Sequence, residues 1–274
     1  MNNLFEKYHL TLRAALDASK VIMEIYAGDF ERIEKADGSP VTIADISSSK
    51  IIADYLRQTN IPITGEEIEK EQFSIRSTWK RVWCVDPLDG TKEFIKKNGE
   101  FVINIALIED GKPIYGLIAS PIRKEIILGN KESGAFQTTY ENALSPEKWT
   151  KLAQLSPVNS PVHIIASRSH YSGNLLNLAQ YIEEEHGEIK STAMGSALKF
   201  FDLVNGNADV YPRFAPTMEW DIAAGQAIYE AIGGEVIQAE TGKPMVYNKK
   251  DLKNPYFVAS KKSMKLSMNF FQKL

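Results

Sequence analysis

Cysteine is almost absent from this 274-residue chain. Cys84 is the only one, so no internal disulfide framework can form, and a reducing compartment is expected. It stands within an apolar run, which favours an inert buried thiol over a nucleophile. Histidine is scarce as well. His9, His163, His170 and His186 never pair at a zinc-ligand spacing, so a bound metal would take oxygen ligands, which suits Mg²⁺ better than zinc. No apolar run approaches the ~18 residues that a membrane-spanning helix needs. Met1-Asn2-Asn3-Leu4-Phe5-Glu6-Lys7 lacks the charged-then-apolar layout of a signal peptide, and the chain is expected in the cytoplasm. Neither sign of charge dominates. With 32 Lys and Arg against 35 Asp and Glu, the net charge is -3, and no global basic field recruits nucleic acid or an acidic membrane. A P-loop and a Gly-x-Ser-x-Gly elbow are both missing, which argues against P-loop nucleotide hydrolysis and serine hydrolysis. There is no internal repeat and no low-complexity segment.

What the chain does contain is the ordinary material of a globular protein, 43% hydrophobic and 24% charged, enough for one large domain or two modest ones. Helical spacing from Leu4 to Ala27 leaves one buried face and ends at Gly28. Residues 37–43 read as a turn feeding a short extended piece. Asp45 then precedes a second amphipathic stretch with Ile51, Ile52, Tyr55 and Leu56, and its plainest role there is a helix cap. Ile61–Thr64 reads as a strand ending at Gly65-Glu66-Glu67, and the Glu- and Lys-rich stretch after it as a solvated surface loop. Phe101–Ile108, Pro113–Ser120 and Lys124–Leu128, with a turn at 109–112, predict an antiparallel meander. The pattern weakens over 143–161, where Pro146, Pro157 and Pro161 fall. This divides the chain into a metal-binding α+β domain with an antiparallel sheet, residues 1–158, and an α/β substrate-binding domain, residues 159–274. In the second, strands at 162–166, 188–193 and 208–211 alternate with helices at 173–185, 196–204 and 220–232. The tail from Lys261 to Leu274, mixing lysines with Met264, Leu266, Met268, Phe270 and Phe271, is expected to dock as a terminal helix. Peripheral contact with the cytoplasmic face of the inner membrane is the lesser alternative for it.

The stretch Trp83–Phe94 organises the rest. It starts as an apolar run of strand character and breaks at Asp86-Pro87, with Asp89 three positions on and Gly90-Thr91-Lys92 opening a helix. Two hard oxygen ligands delivered into a turn suit Mg²⁺, and amides at a helix start suit an anion. An Asp-capped β-turn accounts for the same residues equally well. Glu66-Glu67, Asp221 after Glu219-Trp220, and Asp45 also stand at the ends of apolar runs or the starts of helices. Acids gathered from distant parts of the chain repel one another unless cations neutralise them, so such a set implies metal. Two ions ~3.5–4 Å apart can clamp the attacking and the leaving oxygen of a phosphoryl transfer. Hydrolysis by a metal-activated water is the economical mechanism that remains.

Asp86-Pro87-Leu88-Asp89-Gly90-Thr91, Gly65-Glu66-Glu67 and Trp220-Asp221-Ile222-Ala223-Ala224-Gly225 resemble the signatures of the inositol monophosphatase superfamily. The runs Asp86–Ile95, Asn98–Phe101, Ser167–His170, Gly195–Lys199 and Tyr211–Phe214 resemble its 3'(2'),5'-bisphosphate nucleotidase branch more closely. The likeness extends in order from Pro40 to Ser260, while 68–80, 138–160 and the tail carry no signature. It implies a layered α-β-α-β-α sandwich of the inositol monophosphatase/sugar phosphatase type, mixed α+β and α/β, using two or three Mg²⁺. By the resemblance, Glu66 binds the first ion, Asp86 bridges two, the Leu88 carbonyl completes the first site, and Asp89 and Asp221 hold the second. Asp45 and Thr91, with Glu66, would orient and deprotonate the attacking water. Contacts to substrate would come from Glu66, Leu88, Asp89, Gly90, Thr91, His170, Gly195, Ser196, Lys199, Arg213 and Asp221. Lys199 and Arg213 suit a clamp on a second phosphate that the chemistry leaves untouched, although alone they would read as a surface salt bridge. His170 would meet base or ribose rather than metal, or be structural. The implied activity is removal of the 3'-phosphate from adenosine 3',5'-bisphosphate, giving AMP and phosphate, with 3'-phosphoadenylyl sulfate as a further substrate and Li⁺ as an inhibitor. An inositol or sugar monophosphatase is the alternative, and an inactive nucleotide-binding protein a third reading. Monomer and homodimer both stand open.

Overall fold

In the computed structural model, which describes residues 1–34, 40–167, 173–264 and 266, the elements follow the periodicities of the chain. Helix α1 (Asn2–Ala27) buries Leu4, Tyr8, Leu12, Ala15 and Ile22 along one stripe and is capped at Gly28. A short antiparallel hairpin, β1 (Arg32–Glu34) and β2 (Pro40–Thr42), leads into α2 (Ile43–Leu56). Next come β3 (Ile63–Gly65), α3 (Phe73–Arg76), β4 (Arg81–Asp89) and α4 (Thr91–Ile95). The meander follows as β5 (Val102–Glu109), β6 (Lys112–Ser120), β7 (Glu125–Asn130), β8 (Gly134–Thr139) and β9 (Thr150–Lys151). Then come β10 (Val162–Ala166), α5 (Asn174–His186), β11 (Ile189–Ala193), α6 (Lys199–Val204), β12 (Val210–Arg213), α7 (Glu219–Glu230), β13 (Gly234–Gln238) and β14 (Phe257–Lys261).

Strands β3 to β9 form one seven-stranded sheet in chain order, antiparallel throughout except for the parallel β3–β4 pair. Alternation along it supplies two apolar faces. Trp83, Val85, Ile103, Ile105 and Leu117 point to α1 and α2. Val82, Cys84, Ala106, Ile108 and Ile118 point the other way, into a core shared with α6 and α7. That core also takes in Tyr211, Val236, Phe257 and Ala259 from the second sheet, ordered β11-β10-β12-β14-β13. The far face of the second sheet, with Ile164, Val210 and Val258, packs on α5. The layers therefore run α1/α2, sheet, α6/α7, sheet, α5, which is the sandwich implied by the resemblance. Cys84 is the inert buried thiol expected. No helix among the described residues is long and apolar enough to cross a membrane.

Several local expectations are corrected. Strand β4 does not break at Asp86-Pro87 but runs to Asp89. One extra residue bulges between the pairs Asp86–Asn104 and Asp89–Val102, where a proline without an N–H does no harm to the ladder. The polar stretch 68–80 contains α3 and buries Arg76, so it is not simply a solvated loop. The second sheet is mixed: β10 pairs in parallel with β11 and β12, whereas β12–β14 and β14–β13 are antiparallel. The helix expected from Ser196 begins at Lys199, because Ser196 has a φ of 46°. Lys261 ends β14 and a 3₁₀ turn, Lys262–Met264, follows in place of a helix start. Residue 265 and those beyond 266 lie outside the described residues, as do positions 37–39 of the turn read before β2.

Candidate active site

The strand–bulge–turn at the end of β4 supplies the floor of a cavity of about 400 Å³. Gly90 makes the turn possible: its φ is 104°, and a Cβ there would fall 2.7 Å from the Glu100 carbonyl oxygen. Asp86, Leu88, Asp89, Gly90 and Thr91 line this cavity together with Glu66, which follows β3, and Asp221, from the first turn of α7. Asp86 is 1% exposed. Its Oδ1 accepts from the Leu88 amide at 3.0 Å. Asp89 Oδ2 accepts from the Ala197 amide at 2.6 Å and from Asn104 Nδ2 at 3.4 Å. Asp221 Oδ2 accepts from the Met218 amide at 2.9 Å. In each carboxylate one oxygen is held by the chain, and among the described residues the other takes no such bond.

Burial raises the pKa of all three, and neighbouring carboxylates raise it further. Asp86 is pushed well up by burial and then by Glu66, Asp89 and Asp221. Asp221 is likewise pushed well up by burial and Asp89. Asp89 rises to about 6 by burial, although Lys199 and the Ala197 amide pull it back. Lys199 falls to about 8 by burial despite the attraction of Asp89, so for this pair desolvation outweighs attraction on both sides. The donors suit a hard cation, being oxygens only, with the second oxygen of each aspartate taking no hydrogen bond among the described residues. Among the described residues, however, no group of three or more His, Cys, Asp or Glu side chains is gathered closely enough to cage an ion as it stands.

Asp45 does not line the cavity but acts on a residue that does. Its Oδ2 closes the capping box of α2, accepting from the Thr42 amide at 2.7 Å and the Thr42 hydroxyl at 2.6 Å. Its Oδ1 accepts from the Thr91 hydroxyl at 2.8 Å. The cap and the proposed proton acceptor are thus the two oxygens of one carboxylate, and burial raises its pKa.

Gly195, Ser196, Lys199 and Arg213 line the same cavity. Lys199 is 2% exposed and opens α6. Its Nζ donates to the carbonyls of Met194 at 3.1 Å and Ser196 at 2.5 Å, and lies 4.8 Å from the centroid of the Tyr211 ring. Lys199 is therefore a buried cation, not half of a surface salt bridge. Arg213, at the end of β12, reaches the Pro216 carbonyl at 3.5 Å, while its buried Nε has no hydrogen-bond partner among the described residues. His170 lies outside the described residues.

A model of the inositol monophosphatase family matches residues 6–269. The chain belongs to this family. It is 40% identical over 251 residues to the 3'(2'),5'-bisphosphate nucleotidase CysQ of Shigella flexneri, spanning 90% of this chain and 96% of that protein. It is 38% identical over 255 residues to CysQ of Buchnera aphidicola, spanning 90% of each. Of solved structures, that of CysQ from Bacteroides thetaiotaomicron aligns with a TM-score of 0.82 at 39% identity, over 94% of this chain and 97% of that one. Inositol monophosphatase II from Staphylococcus aureus shares the fold, with a TM-score of 0.74 at 19% identity over 98% of this chain and 96% of that one.

Within the family fold, some residues at the site gave no separate signal in the sequence. Asn104 faces Asp86 across the β4–β5 ladder and donates to Asp89, while its buried Oδ1 has no hydrogen-bond partner among the described residues. Tyr211 supplies the ring beneath the Lys199 ammonium. Glu219, the first residue of α7, is buried at 1% exposed and takes the Asn248 amide at 2.6 Å and Lys249 Nζ at 2.5 Å. Asn248 is held in turn by Arg76. Tyr211 fell inside a quoted run. The others are ordinary polar residues whose partners stand far off in sequence, so spacing alone could not pick them out.

Proposed function

We propose that this chain is a Mg²⁺-dependent 3'(2'),5'-bisphosphate nucleotidase. It hydrolyses the 3'-phosphate of adenosine 3',5'-bisphosphate to AMP and phosphate, and 3'-phosphoadenylyl sulfate is the second substrate to test. One observation carries the reading: the carboxylates of Glu66, Asp86, Asp89 and Asp221 and two cations, buried Lys199 and half-buried Arg213, line a single cavity. The relatives named 3'(2'),5'-bisphosphate nucleotidase at about two-fifths identity support the same substrate class. An inositol phosphatase shares the carboxylate wall but has no use for a second phosphate clamp.

Glu66, Asp86, Asp89, Asp221 and the Leu88 carbonyl would hold two or three Mg²⁺, and the oxygen-only donor set fits them. Magnesium there supplies Lewis-acid polarisation of the phosphate and of the attacking water. The chain's own part starts at Thr91, whose hydroxyl proton is directed to Asp45 Oδ1. Its oxygen lone pairs are thereby turned outward to accept a proton-bearing group, a water, at the cavity wall. Asp45, with its pKa raised by burial, is the base that receives the proton passed through Thr91, with Glu66 helping to orient the water. Gly90, Gly195 and Ser196 border the substrate. Among the described residues Arg213 Nε and the third proton of Lys199 have no carbonyl to serve, and they are offered to the phosphate that is not cleaved.

The test is a phosphate-release panel over adenosine 3',5'-bisphosphate, 3'-phosphoadenylyl sulfate, inositol monophosphate and sugar phosphates, with and without Mg²⁺. The bisphosphate should give the highest kcat/KM, release should need Mg²⁺, and Asp86→Ala should abolish it. Preference for inositol phosphate would overturn the substrate assignment, and unchanged release by Asp86→Ala would overturn the metal site.

A further inference from the structure

Between the carboxylate wall and the cation wall stands a residue with no assigned part in the chemistry. Glu100 is half-buried in the turn before β5 and touches a loop from each half of the chain. Its carbonyl oxygen packs against Gly90, where a Cβ would come to 2.7 Å. Its side-chain Oε2 accepts from the Gly195 amide at 2.8 Å. A Cβ on residue 195 would fall 2.9 Å from that same oxygen and 2.9 Å from Glu93 Cγ, so a side chain there would push the Glu100 and Glu93 side chains away from the loop.

The loop that Glu100 grips does two jobs within four residues. The Ala197 amide donates to Asp89 Oδ2 at 2.6 Å, and the carbonyls of Met194 and Ser196 take the Lys199 ammonium at 3.1 and 2.5 Å. Ser196 holds a φ of 46°, a conformation a non-glycine residue keeps only when its surroundings enforce it. At the other end the loop is fastened by the Met194 amide to the Ala166 carbonyl at 3.0 Å. The bond to Glu100, like that to Asp89, is charge-assisted, and both acceptors come from the first half of the chain.

Resting on the nucleotidase reading, we propose that Glu100 is a positioning residue that fixes the Gly195–Ala197 loop. By that fixing it sets both which Asp89 oxygen is left for metal and where the Lys199 ammonium meets the uncleaved phosphate. Glu100 thereby ties substrate recognition to the carboxylate wall. It is a specificity determinant without touching substrate.

The experiment has two arms on the full chain. In the first, hydrogen–deuterium exchange follows the segment 194–199 in wild type, Glu100→Ala and Glu100→Gln. Glu100→Ala should speed exchange there by about tenfold, the scale of one charge-assisted hydrogen bond, and leave α5 unchanged. Glu100→Gln, which keeps a carbonyl acceptor, should stay near wild type. In the second, KM and kcat are measured for adenosine 3',5'-bisphosphate and 3'-AMP. Glu100→Ala should raise KM for the bisphosphate by about tenfold and change KM for 3'-AMP much less, because only the former carries the clamped phosphate. In a Lys199→Ala background, Glu100→Ala should add little further to KM. Unchanged exchange over 194–199, an equal KM rise for both substrates, or full additivity with Lys199→Ala would each overturn the proposal. If wild type does not prefer the bisphosphate, the nucleotidase reading fails instead, and the exchange arm still decides whether Glu100 holds the loop.

Discussion

Thr91 has a single hydroxyl proton, and two acceptors compete for it: Asp45 Oδ1 at 2.8 Å and the Leu88 carbonyl at 3.3 Å. The shorter bond to a carboxylate wins, so the Leu88 carbonyl is left for another partner and the Thr91 oxygen for a water. Thr91→Val keeps the shape of the side chain but removes this relay and strands Asp45 Oδ1 in a buried site. We expect kcat to fall by roughly 10²–10⁴-fold, the usual span for losing a positioned acid–base group. We also expect a stability loss of about 1–3 kcal/mol from the unsatisfied acceptor. Thr91→Ser should restore most of the rate, since only a methyl group is lost. A Thr91→Val enzyme with near-normal kcat would rule out the relay. At this scale the sequence was informative about which residues meet and less so about how. Asp45 was legible both as a helix cap and, through the family likeness, as a proton acceptor. Only the structure shows that the cap engages its Oδ2 while the Thr91 hydroxyl meets its Oδ1.

Helix α7 carries Asp221 on its first turn, and that turn is held from outside the cavity. Arg76 donates to Asn248 Oδ1 at 2.7 Å and to the carbonyls of Lys249 at 3.1 Å and Glu71 at 3.1 Å. Asn248 and Lys249 then bind the Glu219 carboxylate, two residues before Asp221. Lys70, on the intervening loop, donates to the Glu66 carbonyl at 2.5 Å and lies 5.0 Å from the centroid of the Trp220 ring. Loop 66–76 thus couples Glu66 to Asp221. Removing the guanidinium leaves several buried acceptors unmet, so Arg76→Ala should cost about 2–4 kcal/mol of unfolding free energy. At about 2–4 °C per kcal/mol for a chain of this size, that is readily seen in a melt. The Mg²⁺ concentration for half-maximal activity should rise in parallel, and Arg76→Lys should not rescue either property, because an ammonium cannot serve a forked set. A melt indistinguishable from wild type would refute the strut. The long, strongly periodic elements were legible beforehand: α1, the β5–β7 meander, β10, α5 and α7 lie close to where spacing put them. Strands β13 and β14 were not, because their register is set by pairing with β12 rather than by local pattern. Arg76 was hidden for the same reason, since its partners lie about as far along the chain as the second sheet.

For the whole molecule, the cavity is where folding works against itself. Strand β4 and helix α7 carry Asp86, Asp89 and Asp221 into one buried site, and burial raises the pKa of each above its ordinary value. A carboxyl whose pKa is higher in the folded chain binds more protons there than when unfolded, so its effect on stability worsens as pH rises. For Asp89 the window opens at the ordinary value of 3.8 and closes at about 6; for Asp86 and Asp221 it extends higher. Lys199, depressed to about 8, acts in the opposite sense only above that pH. The metal-free protein should therefore melt several degrees higher at pH 5.5 than at pH 7.5. Magnesium would occupy the ionised set and not the protonated one, so its stabilising effect should be large at pH 7.5 and small at pH 5.5. Thermal melts in EDTA and in excess Mg²⁺ at both pH values give the four numbers needed. A metal-free melt that rises from pH 5.5 to 7.5, or a Mg²⁺ gain equal at the two, would mean that these carboxylates are not the strained, cation-seeking set that the fold assembles.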